Sequence, residues 1–258
     1  MNLQGRIFVL SVLICAATFS GAQNNSSDEK AVTILSQTLS ASAASNVQAF
    51  TATGTMTYFW AGQEVQSNAT IRAKGGDQFR LDADIPGGTQ SFALDRRSGS
   101  RKDTDGKLTD IPAHNTLSAG ILTFPYPSIA ATLSDTNAKV SYIGLVEADG
   151  RQFHQVRVTR IFPEESDPDG LLASMSAIDY FIDAQTLLVV RTSDLTHPKE
   201  TITESYTHDI EFENYETISG VAVPTRVREK VGGQTTWEFR LSNINFNASV
   251  SDEEFSLL

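Results

Sequence analysis

From Val47 to near the C-terminus, apolar and polar side chains alternate with a period of two. In "VQAFTATGTMTYFW" the residues Phe50, Ala52, Met56, Tyr58 and Trp60 share one parity, and threonines dominate the other. Successive side chains of an extended chain point to opposite faces, so the pattern specifies a ribbon with one greasy and one wet side. It recurs in "VQSNATIRAK", in "FRLDADI" (Phe79, Leu81, Ala83, Ile85), in "TQSFALD" and in "AKVSYIGLVE". It continues through "RQFHQVRVTRI", "AIDYFIDAQTLLVVRTS", "ESYTHDIEFENYE", "GVAVPTRVREKV" and "TTWEFRLSNINFN". The joints are short and carry glycine, aspartate or asparagine, as at Gly75-Gly76-Asp77 and Asp149-Gly150. Asp105-Gly106 marks the tip of a polar hairpin in "RRSGSRKDTDGKLTDI". About ten strands joined this way, without helical crossovers, predict one antiparallel sheet. Strands adjacent in sequence should mostly be neighbours, giving a meander that curls into a barrel or half-barrel.

Two stretches break the alternation. Ala31, Ile34, Leu35 and Leu39 make one apolar stripe at helical spacing, with Ser27 or Asp28 placed to cap it. Farther on, "AHNTLSAGILTFPYPSIAATLSD" loses the period and holds Pro125 and Pro127; it reads as a lid or plug with a short helix over Ser128–Leu133.

The stretch "YETISGVAVPTRVREKV" places a proline inside a strand. Val221, Val223, Val227 and Val231 share one face; Arg226, Arg228 and Lys230 share the other. Pro224 fits only near the strand's start or where its nitrogen points out of the ladder. Gly220 suits the preceding turn, so the stretch is the second arm of a hairpin.

The first residues, "MNLQGRIFVLSVLICAATFSGAQ", read as an export signal over 1–22: Arg6 is the charged start, Ile7–Phe19 the apolar stretch, and Ser20-Gly21-Ala22 the cleavage site. The apolar run is shorter than the ~18 residues of a membrane span. Cys15 is the sole cysteine and falls inside this segment, so the remaining chain has no disulfide or thiolate metal site. One of 20 basic residues and none of 31 acidic ones falls there, leaving 19 against 31 and a formal charge of −12. That excess repels nucleic acid and anionic membranes as main partners. The expected setting is a periplasm or the cell exterior, with one domain over 23–258.

No catalytic or metal constellation is legible. His114, His154, His197 and His208 are scattered, without the spacing that pairs two ligands on one element. There is no nucleophile elbow. The acidic loop "PEESDPDG" lacks the ligand spacing and closing glutamate of a calcium loop and reads as solvated. The expectation is a protein without cofactor or metal.

Three segments taken together, "YFIDAQTLLVVR", "IEFENYETISGVAVPTRV" and "WEFRLSNINFNASVSDEEFSL", resemble the C-terminal half of LolA-like outer-membrane lipoprotein carrier and sorting proteins. Asp183, Gly220, Pro224, Arg226 and Phe255 sit at the matching places. In the N-terminal half Phe79-Arg80-Leu81 is similar to a family motif, although the proline that usually precedes it is absent from "AKGGDQFRL". The resemblance implies a mainly β (α+β) fold: an unclosed antiparallel barrel with helices in its mouth and an apolar cavity for acyl chains. It also implies that Arg80 holds the lid by bonding to backbone.

The inward apolar residues are the candidates to line such a cavity: Phe50, Met56, Tyr58, Trp60, Phe79 and Leu81 from the first half. Phe92, Leu94, Tyr180, Ile182, Trp237 and Phe239 follow from the rest. The competing expectation is that they simply pack on the helix at 31–41 and the 121–134 segment. Burying an acyl chain gains about 0.8 kcal/mol per CH₂, enough to bind without polar recognition. The functional expectation is therefore a monomeric, non-enzymatic carrier of lipid or acylated lipoprotein. A periplasmic sensor domain of the same fold, with a transient membrane-protein partner, is the alternative.

Overall fold

Met56 is wholly buried and Trp60, on the same parity of the same strand, is 82% exposed. The alternation thus runs from the core out to an end of the sheet. The computed structural model describes residues 27–118, 120 and 122–257; the segment read as an export signal lies outside them. A helix, α1 (Glu29–Ser42), comes first, capped by Asp28, whose Oδ1 accepts from the Lys30 amide at 2.8 Å. Six strands follow: β1 (Ala49–Trp60), β2 (Gln63–Lys74), β3 (Gln78–Ile85), β4 (Gly88–Asp95), β5 (Ser98–Lys102) and β6 (Leu108–Asp110). A connection carrying a 3-10 turn (Ala113–Thr116) and helix α2 (Tyr126–Ser134) leads to β7 (Ala138–Ala148) and β8 (Arg151–Arg160). After α3 (Leu171–Met175) come β9 (Ile178–Asp183), β10 (Val189–Thr196), β11 (Tyr206–Ile218), β12 (Val221–Val231) and β13 (Gln234–Phe246).

The thirteen strands among the described residues form one antiparallel sheet in the order β6-β5-β4-β3-β2-β1-β13-β12-β11-β10-β9-β8-β7. It is two meanders joined at the middle, where β1 and β13 pair with Phe50 opposite Phe246 and Tyr58 opposite Trp237. At that seam a Cβ on Gly54 would lie 2.1 Å from the Arg240 carbonyl, so only glycine permits the approach. The strands β6 and β7, consecutive in the chain, occupy opposite edges. The sheet is unclosed, and the connection between them is the chain's way across the opening.

The strand count exceeds the sequence estimate partly because "AIDYFIDAQTLLVVRTS" folds back on itself. Asp183 Oδ1 accepts from the amides of Gln185 (3.1 Å) and Thr186 (2.8 Å) and from the Thr186 hydroxyl (3.0 Å), making the turn that separates β9 from β10. The loop at 163–170 also ends in an element the sequence reading missed. Asp167 accepts from the Leu172 and Ala173 amides at 2.8 and 2.9 Å and so caps α3.

Pro224 has a plain explanation. The ladder between β12 and β13 begins at Arg226, so the proline lies where β12 is paired on one side only. Beyond it, the wet face carries an ion-pair ladder. Arg226 reaches Glu238 at 2.6 Å and Glu213 at 3.0 Å, and Lys230 reaches Glu211 at 2.6 Å.

The core lies on the concave face. Ile34, Leu35 and Leu39 of α1 are buried there, and α1 packs on α2, β7 and β12. The C-terminal residues fold onto the opposite, convex face, where Phe255 is 1% and Leu257 8% exposed. No helix among the described residues is long and apolar enough to cross a membrane.

Candidate ligand cavity

The described residues between 111 and 134 cross the opening as a strap fixed at both sides. On the first meander, the Ile111 amide donates to the Gly99 carbonyl at 2.9 Å and the Thr116 hydroxyl to the Arg97 carbonyl at 2.8 Å. On the second, Asn115 and the His197 backbone exchange two hydrogen bonds of 2.8 Å, and Arg160 Nε donates to the Leu117 carbonyl at 3.2 Å. Ser118 donates its hydroxyl to Asp194. Farther along, Ser128 of α2 donates to the Gly76 carbonyl at 2.9 Å.

Beneath the strap a cavity of about 380 Å³ remains between the concave faces of β4–β5 and β9–β12. Its apolar wall includes Phe92, Leu94, Ile111, Ile178, Tyr180 and Ile210. A smaller recess of about 80 Å³ is bounded by Tyr58, Leu81, Phe92 and Trp237 and shares Leu122 and Glu229 with the larger space.

The twelve residues expected to line a cavity therefore divide. Phe92, Leu94 and Tyr180 face the main cavity, and Tyr58, Leu81 and Trp237 the recess. Phe50, Met56, Phe79, Ile182 and Phe239 are instead core, each at most 2% exposed. They belong to one packed cluster with residues of α1 and of the strap, and at Phe50 the strap itself fills the concavity: the Phe124 ring meets Phe50 edge-on at 5.5 Å and Phe246 at 5.7 Å. Trp60 lines neither space, because it sits beyond the core on the last residue before the β1–β2 turn.

Arg80 requires a second correction. Its parity places it on the convex face, where Nε bonds Asp82 at 2.9 Å and Nη1 donates to the Glu254 carbonyl at 2.9 Å. It anchors the C-terminal segment, together with Lys74, which meets Asp252 at 2.5 Å, and Arg72, which meets Glu254 at 3.1 Å. The lid is gripped instead at the glycine doublet that replaces the usual turn: a Cβ on Gly76 would lie 2.6 Å from Ala131 of α2.

A polar pole interrupts the apolar wall. His208 Nδ1 lies 2.6 Å from Asp194 and Nε2 3.0 Å from Glu229. All three line the cavity. Burial disfavours the imidazolium, but hydrogen bonds and the charges of Asp194 and Glu229 outweigh it and lift His208 to about 10. Burial likewise opposes the Glu229 charge, yet the bond to His208 and its field bring that carboxyl below its usual range. The trio does not make a nucleophilic relay. Ser118 is bonded to the carboxylate, not to the imidazole, and an imidazolium engaged at both nitrogens has no lone pair to take a proton. Among the described residues no group of three or more His, Cys, Asp or Glu could hold a metal ion.

Sequence reading placed His208 on a strand face but missed its partners. One signal was present: Glu229 stands on the parity of Val227 and Val231, a carboxylate among inward valines. Asp194 is brought opposite His208 only by the register of β10 on β11.

Solved structures share this fold. An outer membrane lipoprotein-sorting protein domain from Vibrio parahaemolyticus superposes with TM-score 0.56 at 11% identity, over 88% of this chain and 96% of that one. A LolA superfamily protein from Nitrosomonas europaea gives 0.55 at 12% identity, over 86% and 97%. The fold is LolA-like. A DUF1329 family protein from Desulfovibrio piger shares it, with TM-score 0.54 at 12% identity over 90% and 98% of the two chains. No protein-family model and no curated protein sequence matches the chain. In this LolA-like sheet, then, the C-terminal hairpin motif reports architecture: Asp183 makes a turn, Pro224 ends a ladder and Phe255 plugs the convex face.

Proposed function

We propose that the protein is an exported, non-enzymatic carrier that holds an acyl chain of a lipid or acylated lipoprotein, in the manner of sorting proteins of the outer membrane. The observation that carries this reading is the strapped cavity of about 380 Å³, with Phe92 and Leu94 on one side and Ile178 and Ile210 on the other. Its size falls within the ~300–1,000 Å³ of small-ligand sites. An apolar concavity left unfilled by the protein's own side chains offers burial to an acyl chain, and a strap tied by a few hydrogen bonds can admit one. The likeness in fold to a lipoprotein-sorting domain supports the same reading.

The test is direct. The purified protein should bind a neutral fluorescent lipid probe, with fluorescence rising to saturation at one probe per chain, and mass spectrometry should find a copurifying lipid. A Leu94→Trp substitution, which fills the cavity, should lower probe affinity while the melting transition is kept. No binding by the wild-type protein sinks the carrier reading.

A further inference from the structure

The polar pole of the cavity bears on which amphiphile the site takes, an inference that rests on the carrier reading above. His208 spends one N–H on Asp194 and the other on Glu229. The second oxygen of Asp194 accepts from Ser118; the second oxygen of Glu229 accepts from Thr236, and the Trp237 indole donates to the same carboxylate. Every proton of this cluster is thus committed inside the protein. What remains toward the cavity is lone pairs, because each carboxylate oxygen can accept two bonds while an imidazolium accepts none. The charges also fail to cancel: two carboxylates face one imidazolium, leaving the pole at −1.

The cluster is expensive. Burying a set of charges costs more than an apolar wall of equal volume, and hydrophobic packing alone gives no reason to place it beside Ile178, Tyr180 and Ile210. Strand register makes it a fixed feature. Asp194 pairs with His208 across β10 and β11, and His208 and Glu229 are diagonal neighbours across β11 and β12. Among the described residues the one other charge lining the cavity, Arg101 of β5, is exposed, where solvent screens it.

From this arrangement we infer that the cavity selects an amphiphile whose polar end is an uncharged hydrogen-bond donor, a hydroxyl such as that of a monoacylglycerol or long-chain alcohol, and discriminates against the corresponding carboxylate. The hydroxyl donates to the outward lone pairs of Asp194 or Glu229 while the chain lies along Phe92 and Leu94. An ionised fatty acid brings a like charge to acceptors it cannot satisfy.

Displacement of N-phenyl-1-naphthylamine by monopalmitin, hexadecanol and palmitate, all kept below their aggregation limits at neutral pH, tests this. The two hydroxyl compounds should displace the probe at concentrations about tenfold lower than palmitate, as like-charge contact is costly in a desolvated site. Asp194→Asn and Glu229→Gln should narrow that gap to about threefold or less as the like charge is removed. The wild-type comparison needs no variant, so it stands if a substitution impairs folding. Palmitate displacing as well as the alcohol overturns the inference and leaves the carrier reading intact, as does a gap unmoved in variants that melt normally. Palmitate preferred, with the preference lost in Arg101→Gln, would place an anionic head at that residue and overturn it too. A wild-type protein that never binds the probe overturns the carrier reading itself.

Discussion

Gly76 and Ala131 meet where the turn between β2 and β3 presses on α2. A Cβ at position 76 would lie 2.6 Å from that of Ala131, and the neighbouring Ser128 hydroxyl bonds the Gly76 carbonyl. Gly76 does not need a left-handed backbone, so its role is to leave room. Gly76→Ala should cost about 1–3 kcal/mol by overpacking. Adding Ala131→Gly should recover part of that loss despite the lower helix propensity of glycine, roughly 1 kcal/mol. Denaturant melts of the two variants decide it; a double variant no better than the single shows that the contact is not the cause.

His208 makes stability depend on alkaline pH. Its folded pKa is about 10 against an ordinary value of 6.5, so the charge contributes stability that is complete below about 6.5 and lost as pH rises through about 10. The melting temperature of the wild type should fall across that window. His208→Gln should melt lower at neutral pH and show a flatter profile between those limits. Parallel profiles would show that the imidazolium is not the titrating group.

The convex-face anchor predicts a local effect. Arg80→Leu removes the bonds to the Glu254 carbonyl and Asp82 and should cost about 1–3 kcal/mol. Amide exchange should speed up in residues 250–257, while exchange in α2 and affinity for the lipid probe stay as in wild type. Faster exchange confined to α2 would restore the lid role that the family resemblance implied.

Met56 and Trp60 share a parity but not an environment. Met56→Ala should cost about 2–5 kcal/mol, the range for truncating a buried large side chain. Trp60→Ser should change stability by about 0.5 kcal/mol or less, as expected of an exposed side chain. Urea titrations compare the two directly.

Those two residues also show how far the sequence could be read. The alternation of Phe50, Met56 and Tyr58 identified a strand and its inward face, because parity is local. Where that face leaves the core is set by how far α1 and Phe124 reach, which parity does not record. The lid helix was visible in Ser128–Leu133, and the structure extends it to Tyr126–Ser134. Arg80 was misplaced because a family likeness carried a role across, while its own parity, opposite to Phe79 and Leu81, already pointed to the other face. The pole needed more: Asp194, His208 and Glu229 lie on three strands, and only their pairing brings them together.

The seam between β1 and β13 has a consequence for how the molecule is made. The strand that leaves the ribosome first among the thirteen finds its central partner only when the last has emerged, 196 residues later, since Phe50 faces Phe246. Until then each meander carries a bare hydrogen-bonding margin through what will become the middle of the wall, and such margins invite pairing with other chains. Assembly from such distant parts is slow. A chaperone holding the newborn polypeptide extended would therefore protect this protein more than its finished stability suggests.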